Sequence, residues 1–304
     1  MRHRLHWLSD SADLTNESVF LQSLFYSRHS TFDIRELSYR ELTRIPMAFD
    51  ARPTPSLLES LRRPSPSTCR SEQVDFKARG FSEHEGAFAL LIHDLLTPSE
   101  CDEIRHAAET VAQGRWDAAL INAGGQMVMA SGVRHCDRVM WDNPELAEAL
   151  LARLRPHIPA NIATLKDSPQ TTSDDPIWSS GTWRIARLND RLRFLRYRPG
   201  MYFRAHSDGF YVTPDESEVS FLTVHLYLRG SPDLKGGATR FFGEDQPGQM
   251  KEYDVDPSPG ACLIFQHHDL VHSGEDVLQG TKYTMRTDVM YRKIGEKDGE
   301  VREV

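Results

Sequence analysis

Tyr197-Arg198-Pro199-Gly200-Met201-Tyr202-Phe203-Arg204-Ala205-His206-Ser207-Asp208 opens the part of this 304-residue chain whose reading decides the fold. His272-Ser273-Gly274-Glu275-Asp276-Val277 and then Gly280-Thr281-Lys282-Tyr283-Thr284-Met285-Arg286 close it. Around and between them, short apolar runs at 192–197, 221–228, 239–242, 261–265 and 283–291 alternate with turns bearing Gly and Pro. Many short strands joined by such turns read as a sandwich or barrel, since each strand buries one face against a second sheet.

Upstream, Ala87-Phe88-Ala89-Leu90-Leu91-Ile92 has strand length. Thr97-Pro98-Ser99-Glu100 is a helix start: Thr97 caps, Pro98 suits the first turn and Glu100 completes a capping box. Cys101, Ile104, Ala108 and Val111 recur at helical spacing toward a stop at Gly114. A second helix starts at Asn143-Pro144, puts Leu146, Leu150 and Leu154 on one face, and ends before Pro159. Residues 128–139 read as a strand whose Arg134, Asp137 and Arg138 line a substrate path or form a solvated ion-pair cluster, with the second reading favoured. The expected class is α+β, mainly β, with the two helices outside one sheet. Residues 1–78 carry short apolar clusters (Val19-Phe20-Leu21, Leu24-Phe25-Tyr26) and a Pro-Ser-rich stretch from Pro53 to Ser67. They read as an N-terminal extension, partly ordered or disordered, with one helix partly docked. Order is expected to begin near Gly80, and the domain is placed at 79–304.

Composition excludes several classes. A net charge of -8 disfavours a nucleic-acid partner. Four dispersed cysteines, Cys69, Cys101, Cys136 and Cys262, read as free thiols in a reducing compartment. No apolar run approaches membrane-spanning length, and Asp10, Asp13 and Glu17 near the start disfavour a leader. The expected location is intracellular, cytoplasmic or nuclear.

His206 and Asp208 form an H-x-D pair, and residues two apart in a strand share a face. A histidine from elsewhere completes two imidazoles and one carboxylate, the set that binds one face of a non-heme ferrous ion and leaves the rest open. In isolation H-x-D is weak, because Asp208-Gly209 also reads as a turn. His267, His268 and His272 compete for the third position, and His225 reads as a satisfied core histidine.

The wider pattern resembles a known family. Pro199-Gly200 precedes H-x-D, Tyr227-Leu228 ends a strand, and Gly236-Gly237-Ala238-Thr239-Arg240-Phe241 follows. Pro259-Gly260-Ala261-Cys262-Leu263-Ile264-Phe265 leads to the last histidine, and His272 is followed ten residues on by Lys282. In this order the motifs resemble the prolyl 4-hydroxylase-like branch of the Fe(II)/2-oxoglutarate-dependent dioxygenases, closely over 183–292 and again at 95–101. The resemblance implies a double-stranded β-helix (jelly roll) core with flanking helices. It implies Fe(II) held by His206, Asp208 and His272, since only His272 has the following Gly274, Val277, Gly280 and basic residue in register. It implies 2-oxoglutarate as co-substrate, consumed with O2 to succinate and CO2, with ascorbate as a candidate reductant. It places Lys282 at the far carboxylate of 2-oxoglutarate, with Thr284 on the same face. Lys282 and Arg286 lie roughly 13 Å apart along a strand and do not share one carboxylate. Spacing favours Lys282, whereas bidentate geometry favours Arg286. Tyr197 and Tyr227 are candidate phenol donors, or plain aromatic core. The implied activity is hydroxylation of a C–H bond on a protein side chain or small molecule. The alternative is a non-catalytic jelly-roll module that senses 2-oxoglutarate or metal. Residues 209–219 and 122–131 are expected to border the mouth.

Overall fold

A computed structural model describes residues 52–123 and 126–295, with the side chains of 122 and 123 left aside. In chain order the elements that matter here are α1 (Pro55–Arg62), β1 (Arg70–Gln73), β2 (Ala89–His93), α2 (Pro98–Val111), β3 (Arg134–His135), β4 (Asp137–Asp142), α3 (Pro144–Leu154), β5 (Thr182–Leu188), β6 (Arg191–Tyr197), β7 (Tyr202–His206), β8 (Glu218–Leu228), β9 (Thr239–Glu244), β10 (Met250–Val255), β11 (Cys262–Gln266), β12 (His272–Gly274) and β13 (Lys282–Ile294). The larger sheet runs β1-β2-β11-β8-β13-β6-β4, with β5 beside the far half of β13. The smaller runs β10-β9-β12-β7-β3. All these pairings are antiparallel. This is the mainly β, jelly-roll-type architecture with flanking helices. Among the described residues no helix is long and apolar enough to cross a membrane.

Strand alternation splits the interior in two. On β2, Leu90 and Ile92 join the core beneath the helices, while Ala89 and Leu91 face the other way. Cys262 and Ile264 of β11 divide from Leu263 and Phe265 in the same manner. On β13, Met285 and Val289 point to the helices. Lys282, Thr284, Arg286 and Asp288 alternate with them on the opposite face, which is the inside of the barrel. A row of polar side chains on a buried inner face is costly unless it is partnered, so that row marks the functional interior.

The helices form for the reasons their sequence gives. Thr97 accepts from Glu100 N at 3.2 Å and Glu100 accepts from Thr97 N at 2.8 Å, closing the capping box of α2. Asn143 caps α3 by accepting from Leu146 N. Two boundaries differ from expectation. Order begins well before Gly80, because Leu57, Leu58 and Leu61 of α1 are buried and β1 pairs with β2. Within 52–78, α1 is the docked helix expected of this extension and β1 adds an edge strand, while the apolar clusters near residues 20 and 25 lie outside the described residues. The single strand expected at 128–139 is broken: β3 pairs with β7 of the smaller sheet and β4 with β6 of the larger. The chain crosses from sheet to sheet at Cys136, which is buried. β10 escaped the sequence reading because it is an edge strand with mostly exposed, charged residues.

Gly260 shows how tightly the frame closes. Its φ is +83°, its N–H donates to Tyr227 O at 2.8 Å, and its carbonyl accepts from Leu96 N at 3.1 Å. A Cβ there would sit 2.3 Å from Leu96 O. Gly260→Ala is expected to cost more than about 2 kcal/mol, measured by urea denaturation. An unchanged midpoint would mean that this junction yields.

Candidate metal centre and co-substrate pocket

β7 and β12 pair so that His206 lies directly opposite His272. Their ring centroids are 4.4 Å apart. Each ring is oriented from its own strand. His206 Nδ1 is 2.7 Å from Arg204 O, and His272 Nδ1 is 3.1 Å from Leu270 O. A carbonyl only accepts, so each Nδ1 carries the hydrogen and each Nε2 keeps its lone pair. Both Nε2 atoms face Asp208, at 3.7 Å from Oδ1 for His206 and 3.7 Å from Oδ2 for His272. One donor atom from each of the three residues lies within 4.8 Å of the others. Asp208 does not share the strand of His206 as alternation suggested. β7 ends at His206, and Asp208 comes from the segment beyond. Thr223 Oγ1 donates to Asp208 Oδ2 at 2.5 Å, and Arg286 Nη1 forms an ion pair with Oδ1 at 2.9 Å.

The electrostatics follow from burial. Burial by itself would raise the Asp208 pKa, but the charge of Arg286 and the neighbouring imidazoles outweigh it and hold the carboxyl well below its usual range. Burial, together with His272, pushes the His206 imidazole down to about 3. His272 is lowered by burial as well. Both rings are therefore neutral and the carboxyl is ionised, which is the protonation state a divalent cation needs.

Behind this trio lies the inner face of β13. Lys282 stands opposite Tyr197 of β6, and Thr284 opposite Tyr227 of β8. Lys282 is 2 % exposed and has no carboxylate within ion-pair reach among the described residues. Its Nζ donates to Gly237 O at 2.6 Å and sits 5.2 Å and 5.7 Å from the Tyr197 and Tyr227 ring centroids. Burial lowers its pKa to about 8. Burial raises both tyrosines, so they stay protonated. Tyr227 donates to Thr239 Oγ1 at 2.7 Å. The buried Thr284 hydroxyl, His225 Nε2 and Arg286 Nε have no partner. A buried cation without an anion beside orphaned polar atoms fits a small dianion arriving from solution.

Of the residues picked from sequence, His206, Asp208, His272, Tyr197, Lys282 and Arg286 line one cavity. Tyr227 and Thr284 stand on the same inner faces beside it. Arg286 is engaged with Asp208 and with Asp288 Oδ1, the latter at 3.3 Å, whereas Lys282 has no carboxylate partner among the described residues. His267 is buried 3.9 Å from Asp288, and His268 lies 3.6 Å from Asp174; neither joins the trio. The ion-pair reading of 128–139 divides. Asp137 pairs with Arg196 at 2.8 Å and Arg198 at 3.1 Å, whereas Arg134 lines the cavity. Sequence reasoning missed Thr223; its separation of two from His225 puts both on one face of β8, and that was the available signal.

Residues 192–287 match the family model described as the 2OG-Fe(II) oxygenase superfamily. None of the curated proteins matches the sequence. Solved structures with a similar fold include a Pseudomonas putida prolyl-4-hydroxylase, 15% identical, with a TM-score of 0.44, covering 72% of this chain and 100% of that one. A Trichoplax adhaerens prolyl hydroxylase in complex with a hypoxia inducible factor peptide is 14% identical with a TM-score of 0.45, covering 81% and 96%. A non-heme alpha ketoglutarate dependent epimerase from nogalamycin biosynthesis is 16% identical with a TM-score of 0.39, covering 79% and 82%. At these values the likenesses carry no argument about substrate. The chain carries a 2OG-Fe(II) oxygenase domain, and its enzyme class is that of a dioxygenase.

Proposed function

We propose that the protein is a hydroxylase in which His206, Asp208 and His272 hold Fe(II) and Lys282 receives the far carboxylate of 2-oxoglutarate. The observation that carries the reading is the turning of two neutral Nε2 atoms and one ionised carboxylate toward a common point beside an unpaired buried lysine. The chemistry supplied by such a metal and co-substrate is oxidative decarboxylation to succinate and CO2, coupled to hydroxylation of a substrate C–H bond.

The chain's own residues prepare that chemistry. Arg204 O and Leu270 O fix the tautomers and aim the imidazoles. Thr223 and Arg286 lock the Asp208 rotamer, so little reorganisation remains when a cation enters. Phe203 stacks on His206 at 3.6 Å, and Phe265 packs edge-on against His272 at 4.6 Å, which holds both rings in place. The substrate is a small molecule or a protein side chain. Action inside the cell, in cytoplasm or nucleus, agrees with four cysteines that are free.

Anaerobically purified protein given Fe(II) and 2-oxoglutarate should release succinate when O2 is admitted with a substrate panel. Binding of both without any succinate would favour the sensing module. Binding of neither would remove the reading.

Lys282 adds a pH signature. Its folded pKa lies below the unfolded value, so burying the charge costs stability below about pH 8, and stability rises with pH from there toward the unfolded pKa. Co-substrate binding runs oppositely, because it needs the ammonium. Tyr197, Tyr227 and the Cys136 thiol are the titratable groups facing it. The affinity for 2-oxoglutarate is expected to fall about tenfold per unit as pH rises beyond the lysine's titration. Lys282→Arg should flatten that fall in a calorimetric titration. A profile identical in both proteins would take the carboxylate away from Lys282.

A further inference from the structure

Arg134 sits on β3 directly opposite Phe203 of β7. It is 8 % exposed and lines the same cavity as Lys282 and Asp208. Its Nε donates to Cys136 Sγ at 3.3 Å, and its guanidinium lies 4.4 Å from the Phe203 ring centroid. The donor imidazole of His206 stacks on the same Phe203 ring, with centroids 3.6 Å apart. No carboxylate among the described residues is within ion-pair reach of it. Asp137, the nearest acid in sequence, is taken by Arg196 and Arg198. Once Lys282 is assigned to 2-oxoglutarate and Arg286 to Asp208 and Asp288, Arg134 is the cavity cation left without an anion.

A buried guanidinium without a counter-charge is costly. It is tolerable where an anion arrives as part of the working complex. We infer that the substrate of this site is a small carboxylic acid whose carboxylate pairs with Arg134. This rests on the function proposed above. A carboxylate is the anion that the planar fork of one guanidinium takes with two parallel hydrogen bonds. The arginine is inside the barrel wall, so the acid must enter the cavity and not merely rest on its rim. With the carboxylate on Arg134, the rest of the molecule is directed past Phe203 toward the open face of the His206, Asp208, His272 trio.

The test uses protein loaded with Mn(II) and 2-oxoglutarate, titrated calorimetrically with free amino acids and short monocarboxylic acids, each beside its primary amide. Succinate release with Fe(II) is followed in parallel. At least one acid is expected to bind, with its amide weaker by about ten- to a hundredfold, the worth of a hydrogen-bonded charge. Arg134→Met should weaken the acid by a similar factor, Arg134→Lys should recover part of it, and the dissociation constant for 2-oxoglutarate should move by less than about threefold. Equal binding of acid and amide, or binding of no acid, by protein that does bind Mn(II) and 2-oxoglutarate overturns the inference alone. A rise in the 2-oxoglutarate constant in Arg134→Met with the acid unaffected also overturns it, by giving Arg134 to the co-substrate. Failure to bind Mn(II) and 2-oxoglutarate at all strikes the earlier proposal instead. The acid–amide contrast is read on the unaltered protein, so it decides the matter even where Arg134→Met does not fold.

Discussion

His272→Ala is expected to lower 2-oxoglutarate turnover by well over a hundredfold while the protein stays folded. Loss of a residue that merely orients a metal ligand typically costs about 10- to 100-fold, so loss of a ligand should exceed that range. The fold should survive because His272 contributes little to packing that alanine cannot replace. Its ring faces the cavity and touches Phe265 edge-on, and the pairing of β12 with β7 and β9 is made by backbone. The lowered imidazole pKa also means that no charge is lost on substitution at neutral pH. Succinate release and circular dichroism, measured together, separate a lost ligand from a lost fold. Arg286→Met should fall between the variant and the unaltered protein, since it frees Asp208 Oδ1 but leaves Thr223 on Oδ2.

Arg153→Met is expected to destabilise the protein by about 3–5 kcal/mol, the cost of leaving one member of a buried pair alone. Arg153 and Glu100 are both almost fully buried and lie 2.9 Å apart. The guanidinium also donates to Leu61 O at 3.1 Å, Arg63 O at 2.9 Å, Leu95 O at 2.9 Å and Ser60 O at 2.5 Å. One side chain of α3 thus ties the C-terminal end of α1, the loop after β2 and the first turn of α2. Removing it strands Glu100 and several carbonyls at once. Glu100→Gln in the same background should return part of the loss, because a neutral amide no longer needs the cation. The sign with pH is fixed. Burial would raise the Glu100 carboxyl, but Ser60, Thr97 and Arg153 together hold it below its usual value. The stability it contributes is therefore present above the unfolded pKa and is lost as pH falls through the folded one. Urea denaturation of both variants at neutral and acid pH checks the pattern; a single variant as stable as the parent would contradict it.

Sequence carried the chemistry further than the architecture. The H-x-D pair was legible as a motif, although Asp208 lies past the end of β7 and not on it, and the places of His272 and Lys282 were legible from the motif order that resembles a known family. The caps at Thr97 and Asn143 were legible because they are local. What could not be read is what depends on cross-strand register. Arg286 meets Asp208 because β13 runs beside β8, and Thr223 meets it because Asp208 folds back past the end of β7. The inner row of Lys282, Thr284, Arg286 and Asp288 was visible as alternation, but the division of labour within it was not. A docked helix was expected in the N-terminal extension, but its place at α1 was obscured by polar, proline-rich surroundings, although Thr54-Pro55 with Leu57 and Leu61 were a capped helix in miniature. The break in 128–139 was hidden because a crossover between sheets leaves no mark in hydrophobic pattern when both halves are half-buried strands.

Anaerobic equilibrium dialysis of Fe(II), with 2-oxoglutarate present, against the unaltered protein and His206→Ala, Asp208→Ala and His272→Ala tests the central claim most directly. One iron per chain is expected for the unaltered protein, with each substitution weakening it by more than about a hundredfold. Iron held equally well by the substituted proteins would place the metal elsewhere and dissolve the site built here from two imidazoles and a carboxylate.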